Sequence, residues 1–348
     1  MRTHSTTANA GRFTVLAASA ISVLLCWTAW AQAGQPGLVG SVAQTGAATA
    51  PKAYVALYND SALAVLDTRV NRVLSTISVP LGPHGLAMTP DGRRLYVSSD
   101  EVSTVSVIDT TTDRIVAQIE VGRAPYGLAV SRDGRQVLVS VWGADEVVII
   151  DTATNGITGR VPVPRPDRSA ISPDGRVAYV GSTSRDDPAL AIIDLARHVR
   201  IGKVALGSIP GALTFSPDGK RLFFTVAGTG ALQVLDPRRN KIVAAVPAGA
   251  ASHGLVSTVG GYGELVVSET GNELEILDPI RNIVSGAVAV GKLPHGVATS
   301  ADERTVYVTD EESNEVSVID LVGRKVTTTI SVGNTPGDIV VQPGLIAP

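Results

Sequence analysis

The chain has 348 residues, 44% hydrophobic and 18% charged, with a formal net charge of −3 at pH 7. That balance gives no general attraction to polyanions and supplies enough apolar material for a large core. Glycine (35) and proline (20) are frequent while aromatics make up 4%, a composition suited to many short strands joined by tight turns.

Taken in chain order, Arg2, His4 and Arg12 flank an apolar run over 13–30 that ends at Ala31-Gln32-Ala33, a small-residue cleavage pattern. This predicts a signal peptide over 1–33, cleaved to leave Gly34 at the new terminus. At about 19 residues the run is also long enough to stay uncleaved as an anchor, the one way the protein would touch a membrane. Either way the expected location is periplasmic or extracellular. The single cysteine, Cys26, lies inside this run behind Leu25, a residue too large for a lipoprotein signal. Cleavage therefore leaves no cysteine, which excludes disulfides, thiol catalysis, cysteine-ligated zinc and c-type haem attachment. Residues 34–52 carry small and polar residues without a period and read as a flexible leader.

Beyond the leader the chain repeats itself. An aspartate closing a β-branched run recurs at Asp67, Asp109, Asp151, Asp194, Asp236, Asp278 and Asp320, at steps of 42 or 43 residues. Its side chain is suited to cap a turn by accepting from the backbone two residues on. Each unit holds four strand signals, in one case 127–131, 137–141, 147–150 and an alternating segment like Ile115, Ala117, Ile119 and Val121 of the neighbouring unit. Turns such as Pro90-Asp91-Gly92, Pro173-Asp174-Gly175 and Pro217-Asp218-Gly219 join the first strand to the second. The pattern predicts an all-β fold, a seven-bladed β-propeller of four-stranded antiparallel blades over 53–344 with a tail at 345–348. The chain enters at Ala53 with three strands of a unit and leaves through 337–342, an innermost-type strand. The ring is expected to close by that C-terminal strand joining the N-terminal blade, which removes two free edges.

Tyr96-Val97-Ser98-Ser99, Tyr179-Val180-Gly181-Ser182 and Tyr307-Val308-Thr309-Asp310, set among V-x-V-I-D, P-x-G and S-P-D-G segments, resemble the YVTN-type repeat of YncE-like and surface-layer-type exported propellers. The resemblance covers 53–344 and implies the fold. It implies no single activity, since similar repeats build archaeal surface-layer proteins, periplasmic YncE-like proteins and domains of quinoprotein and haem d1 enzymes. Three places depart from the pattern: 258–263 and Ala301-Asp302-Glu303 replace the S-P-D-G turn, and Arg185-Asp186-Asp187-Pro188 extends a loop.

In a propeller the innermost strands begin at one face, here called the top, beside the central channel. The residues at that position around the ring are His84, Tyr126, Asp167, Gly211, His253, His295 and Gly337. Two readings follow. Identical repeats place identical residues without functional need, and the protein is then a non-enzymatic rigid platform binding an unknown protein or small molecule at its top face. Alternatively His84, His253 and His295, with Asp167 or Tyr126, converge on a single Zn²⁺, Fe²⁺ or Cu²⁺ ion in a lyase, lactonase or oxidoreductase.

The top loops are acidic, with Asp60, Asp100, Glu101, Asp145, Glu146, Glu269, Asp310 and Glu311 among them, and would concentrate cations. On the opposite face Arg93, Arg94, Arg135, Arg176, Lys220 and Arg221 share their turns with aspartates. Nucleic-acid binding, implied by the YncE-like resemblance, therefore lacks a basic stripe. Tyr58, Tyr126 and Trp142 are the top-face aromatics, too few for a sugar-binding face. Nucleophile-elbow, Walker and H-E-x-x-H patterns are absent. A monomer is expected.

Overall fold

The computed structural model describes residues 51–249 and 253–343. The expected signal peptide over 1–33, nearly all of the expected leader and the expected tail at 345–348 lie outside these residues. The first strand starts at Lys52, one residue before the expected start of the propeller.

The described chain forms seven four-stranded antiparallel sheets. Blade 1 pairs Lys52–Leu57, Ala62–Asp67 and Arg72–Ser78 with the C-terminal strand Pro336–Val341. Blades 2 to 7 run consecutively, their innermost strands being Pro83–Met88, Pro125–Val130, Pro166–Ile171, Pro210–Phe215, Leu255–Ser257 and Pro294–Thr299. Closure is as the sequence implies: Ala53, Tyr54 and Val55 pair with Val341, Val340 and Ile339. The last strand of the chain thereby becomes the innermost strand of the first blade.

Burial follows the composition of each strand. The second and third strands, such as Arg94–Ser99 and Thr104–Asp109, are buried on both faces because a neighbouring blade covers each side, and their β-branched residues suit that crowding. The outermost strands alternate exposure, as in Arg114–Glu120. The core is accordingly a ring of clusters at the blade interfaces. In one of them Tyr307, Val316, Val318 and Ile330 of blade 7 pack with Val55, Leu57, Ala64 and Leu66 of blade 1.

The recurrent aspartate caps the turn to the outermost strand in every blade. Asp67, Asp109, Asp194, Asp236, Asp278 and Asp320 accept from the N–H two residues on at 2.8 to 3.1 Å, and Asp151 from Thr154 N–H at 2.9 Å. The tyrosine of the repeat staples adjacent blades. Tyr54, Tyr96 and Tyr307 donate to Asp113, Asn155 and Asn71 of the next blade at 2.7, 3.2 and 3.3 Å, and Tyr179 donates to Asn240. The four acceptors hold a left-handed backbone, with φ between 51° and 54°, which Asn and Asp tolerate best among residues with a side chain.

Two of the departures from the repeat are partners. Glu303 takes the glycine position of its turn at φ 54°, and its carboxylate accepts from Val259 N–H at 2.6 Å and Gly260 N–H at 2.5 Å in the irregular 258–263 loop of the preceding blade.

Candidate binding site at the channel mouth

Five of the innermost strands begin with a register irregularity, between Pro83 and Leu86, Pro125 and Leu128, Pro166 and Ser169, Pro210 and Leu213, and Pro294 and Val297. The residue after the proline sits within it. A bulge re-aims the side chain it carries, and here that side chain is His84, Tyr126, Asp167 or His295. The hydroxyl of the second strand fixes the same backbone: Ser98 Oγ accepts from Gly85 N–H at 2.8 Å and donates to the Tyr126 carbonyl at 2.5 Å. Thr309 does the same between Gly296 N–H at 2.8 Å and the Gly337 carbonyl at 2.7 Å. A third position must be glycine in these blades, because a Cβ on Gly85 would run into the Tyr126 carbonyl.

His84, Tyr126, Asp167, His253 and His295 all line one cavity of about 230 Å³ at this end of the channel. A second cavity of about 260 Å³ shares His84, Tyr126 and His295 and adds Tyr58, Asp100 and Glu311. Every residue singled out by repeat position as a metal ligand or its companion thus reaches one place. Within it they divide into pairs. His253 Nδ1 stands 2.9 Å from Glu269 Oε1, His84 packs on the Tyr126 ring with centroids 4.4 Å apart, and the His253 and His295 rings meet edge to face at 5.0 Å. Among the described residues no group of three or more His, Cys, Asp or Glu side chains is arranged to hold a metal ion.

Two further residues dominate the electrostatics. Arg168 Nη1 crosses the channel from blade 4 to Asp338 Oδ2 on the closing strand of blade 1 at 2.6 Å, both side chains largely buried at 18% and 15% exposure. The sequence marks Arg168 only as a basic residue near the top face and does not single out Asp338 or their pairing, although a signal is present: in the P-x-G segment the glycine is replaced by a charged residue in Pro166-Asp167-Arg168 and Pro336-Gly337-Asp338. Burial alone would raise the Asp338 carboxyl, yet the charge and hydrogen bond of Arg168 hold it down to about 2.

The imidazoles differ from one another. Burial, reinforced by the Arg168 charge, lowers His84 to about 4. Burial also lowers His295 to about 3, although Asp338 partly offsets it. Both are neutral near pH 7, and the buried Nδ1 of each lacks a hydrogen-bond partner. His253 shifts the other way, because its hydrogen bond to Glu269 outweighs burial. Burial raises Asp167, Asp100 and Glu311 from their ordinary carboxylate values.

At the outer edge Tyr58 donates to Asp100 at 3.2 Å, and Trp142 Nε1 donates to Thr183 Oγ1 at 3.1 Å while Arg165 stacks 4.5 Å over its ring. The linker residues entering these strands, Gly82, Ala124, Arg165, Leu293 and Thr335, all hold a left-handed backbone with φ from 40° to 69°. In the residues with a side chain that conformation is strained, of the kind that gathers at functional sites.

Fold and site together define a closed seven-bladed propeller with a polar, aromatic-lined pocket at one end of its channel. The chain belongs to the YNCE-like beta-propeller family, whose model matches residues 166–342. Residues 52–184 also match the model of the Cytochrome D1 heme domain. No curated protein matches. Among solved structures the chain is similar to Kuenenia stuttgartiensis hydrazine synthase, with 21% identity, 77% of this chain and 91% of that chain covered, and a TM-score of 0.71. It is similar to the dihydro-heme d1 dehydrogenase NirN in complex with DHE at 18% identity, covering 84% of this chain and 75% of that one with a TM-score of 0.64. A functionally unknown protein from Desulfotomaculum acetoxidans DSM 771 gives 17% identity, 83% and 98% coverage, and a TM-score of 0.72. At these identities the likeness is one of fold.

Proposed function

We propose that this chain is an exported binding platform that holds a small polar ligand at the top of its channel. The observation that carries the reading is the convergence of polar and aromatic side chains from separate blades on one pocket, with two buried imidazole nitrogens left without partners. Buried polar atoms are ordinarily hydrogen-bonded, and the exceptions ask for an explanation. Rigid blades joined by tyrosine staples keep those groups in place before a ligand arrives, which lowers the entropy lost on binding.

The Cytochrome D1 match raises the question of a tetrapyrrole. The two adjoining cavities, about 230 and 260 Å³, each fall below the roughly 300 to 1,000 Å³ of pockets that enclose drug-sized ligands. Neither cavity by itself has the room to enclose a haem. The second reading, a metal-dependent enzyme at His84, His253 and His295, is favoured by the three imidazoles sharing one cavity, whereas the engagement of His253 with Glu269 supports the platform.

Thermal-shift measurements on the purified full chain with small amines, carboxylates, sugars and divalent chlorides test the proposal. A ligand class that raises the melting temperature of the protein but not of a Tyr126→Ala, His84→Ala variant supports it. Failure of every class overturns it, and about one Zn, Fe or Cu per chain by elemental analysis would favour the enzyme.

A further inference from the structure

Resting on the reading of this pocket as a ligand site, we infer that its outer cavity takes a small organic cation, an alkylammonium whose charge faces Asp100 and Glu311 and whose carbon atoms lie against Tyr58 and Tyr126. These four side chains line the cavity of about 260 Å³ together with the imidazoles of His84 and His295, and among the described residues no lysine or arginine lines it. Two partly buried carboxylates lining a cavity with no lysine or arginine among its described residues are an unfavourable arrangement by themselves. Burial penalises their charged forms and raises both. A bound cation of matching size removes that penalty.

The chemistry of the walls selects the kind of cation. Calcium takes six to eight oxygen ligands and magnesium a near-ideal octahedron, and tyrosine faces beside two carboxylates supply neither. Aromatic faces attract a positive charge through the ring quadrupole and also accept methyl and methylene groups, so an alkylammonium satisfies both kinds of wall. Both imidazoles that line the cavity have an unpartnered buried Nδ1, and His295 Nδ1 lies 4.0 Å from Asp338 Oδ1. A proton on that nitrogen, facing the carboxylate, leaves His295 Nε2 as an acceptor for an ammonium N–H. Asp100 is placed for the task. Tyr58 donates to it at 3.2 Å, and Gly82 at φ 69° leaves the space that its carboxylate fills.

Isothermal titration calorimetry of the full chain with methylammonium and tetramethylammonium chloride tests this, with sodium acetate and calcium chloride as controls. Saturable binding of an ammonium probe at one site per chain is expected, weakened by about tenfold or more in Asp100→Asn, Glu311→Gln and Tyr58→Leu. The first two changes remove a partly buried charge whose charged form burial penalises, so both variants are expected to fold with unchanged or higher melting temperatures, and Tyr58→Leu tests the aromatic wall independently. No binding of either ammonium probe, or binding that all three variants leave intact, overturns the inference. If acetate or calcium binds in place of the ammonium ions, the cation assignment falls while the binding platform stands. If nothing tested binds anywhere on the chain, both fall.

Discussion

Arg168 and Asp338 each sit where four other blades carry glycine, and each depends on the other, because a buried charge without its partner has lost its water and gained nothing. Asp338→Asn is expected to lower stability by about 3 to 5 kcal/mol, the range for breaking a buried pair by removing one partner. The double variant Arg168→Met, Asp338→Leu should lose less than the single one. Urea unfolding measures both, and a double variant less stable than Asp338→Asn would show that the pair is not coupled as described. The neutral imidazoles give a pH dependence of definite sign. His295, held at about 3, and His84, held at about 4, stay unprotonated when folded. Below pH ~6.5 the unfolded chain takes up protons there that the folded chain does not. Their contribution to stability is whole above that pH and drains away as pH falls toward the folded values. Buried Glu264, raised to about 7, and Asp310, raised to about 6, act in the opposite sense, since the folded state holds their protons and their penalty appears as pH rises. Wild type therefore has to be compared with His295→Phe at each pH. The melting-temperature difference should move in favour of the variant between pH 7 and 4.5, and a constant difference would contradict the assignment.

At the scale of the element, the blades are joined through side chains that sequence order keeps far apart. Tyr307 reaches Asn71 from blade 7 to blade 1, and Tyr54 reaches Asp113 from blade 1 to blade 2. Tyr307→Phe removes one such staple while keeping the ring in its cluster, so a loss of about 1 kcal/mol is expected from urea unfolding. No measurable loss would mean that packing alone holds this interface. The tyrosines were legible as part of a strand motif, and the aspartates as turn caps, because both signals are local and recur at a fixed step. The acceptors Asp113, Asn155, Asn240 and Asn71 were not legible as partners, because register between blades is set by packing that no local pattern records. The site divides in the same way. His84, Tyr126, Asp167, His253 and His295 could be gathered by repeat position, whereas the pairing of His253 with Glu269 depends on side-chain direction. Arg168 was legible only as one of the few basic residues near the top face and Asp338 not at all, because a pair formed across the channel depends on side-chain direction that repeat position does not record. Glu303 and the 258–263 loop looked like separate irregularities and prove to be one contact between neighbouring blades.

For the whole molecule the decisive contact is closure. Pro336–Val341 pairs with Lys52–Leu57, and Ile339 packs with Val55 and Leu57 in the cluster that also holds Tyr307 and Val316 of blade 7. The same strand carries Asp338, so one segment supplies the innermost edge of blade 1, part of an interface core and the partner of the buried Arg168. Deleting residues 335–348 exposes the backbone edge of Lys52–Leu57, a strand whose residues from Ala53 onward are all buried in the intact ring. An unpaired apolar edge next to an open channel recruits other strands. The loss of the ladder, of buried Ile339 and of the Asp338 carboxylate falls on a single blade interface, and each of these alone is worth on the order of 1 to 5 kcal/mol. Since a domain of this kind is stable by only about 5 to 15 kcal/mol, the truncated chain is expected to unfold or to associate through the exposed edge. Size-exclusion chromatography and thermal melting of the truncated and full chains measure this directly. A truncated chain that stays monomeric at the melting temperature of the full chain would show that the ring does not depend on its last strand for closure.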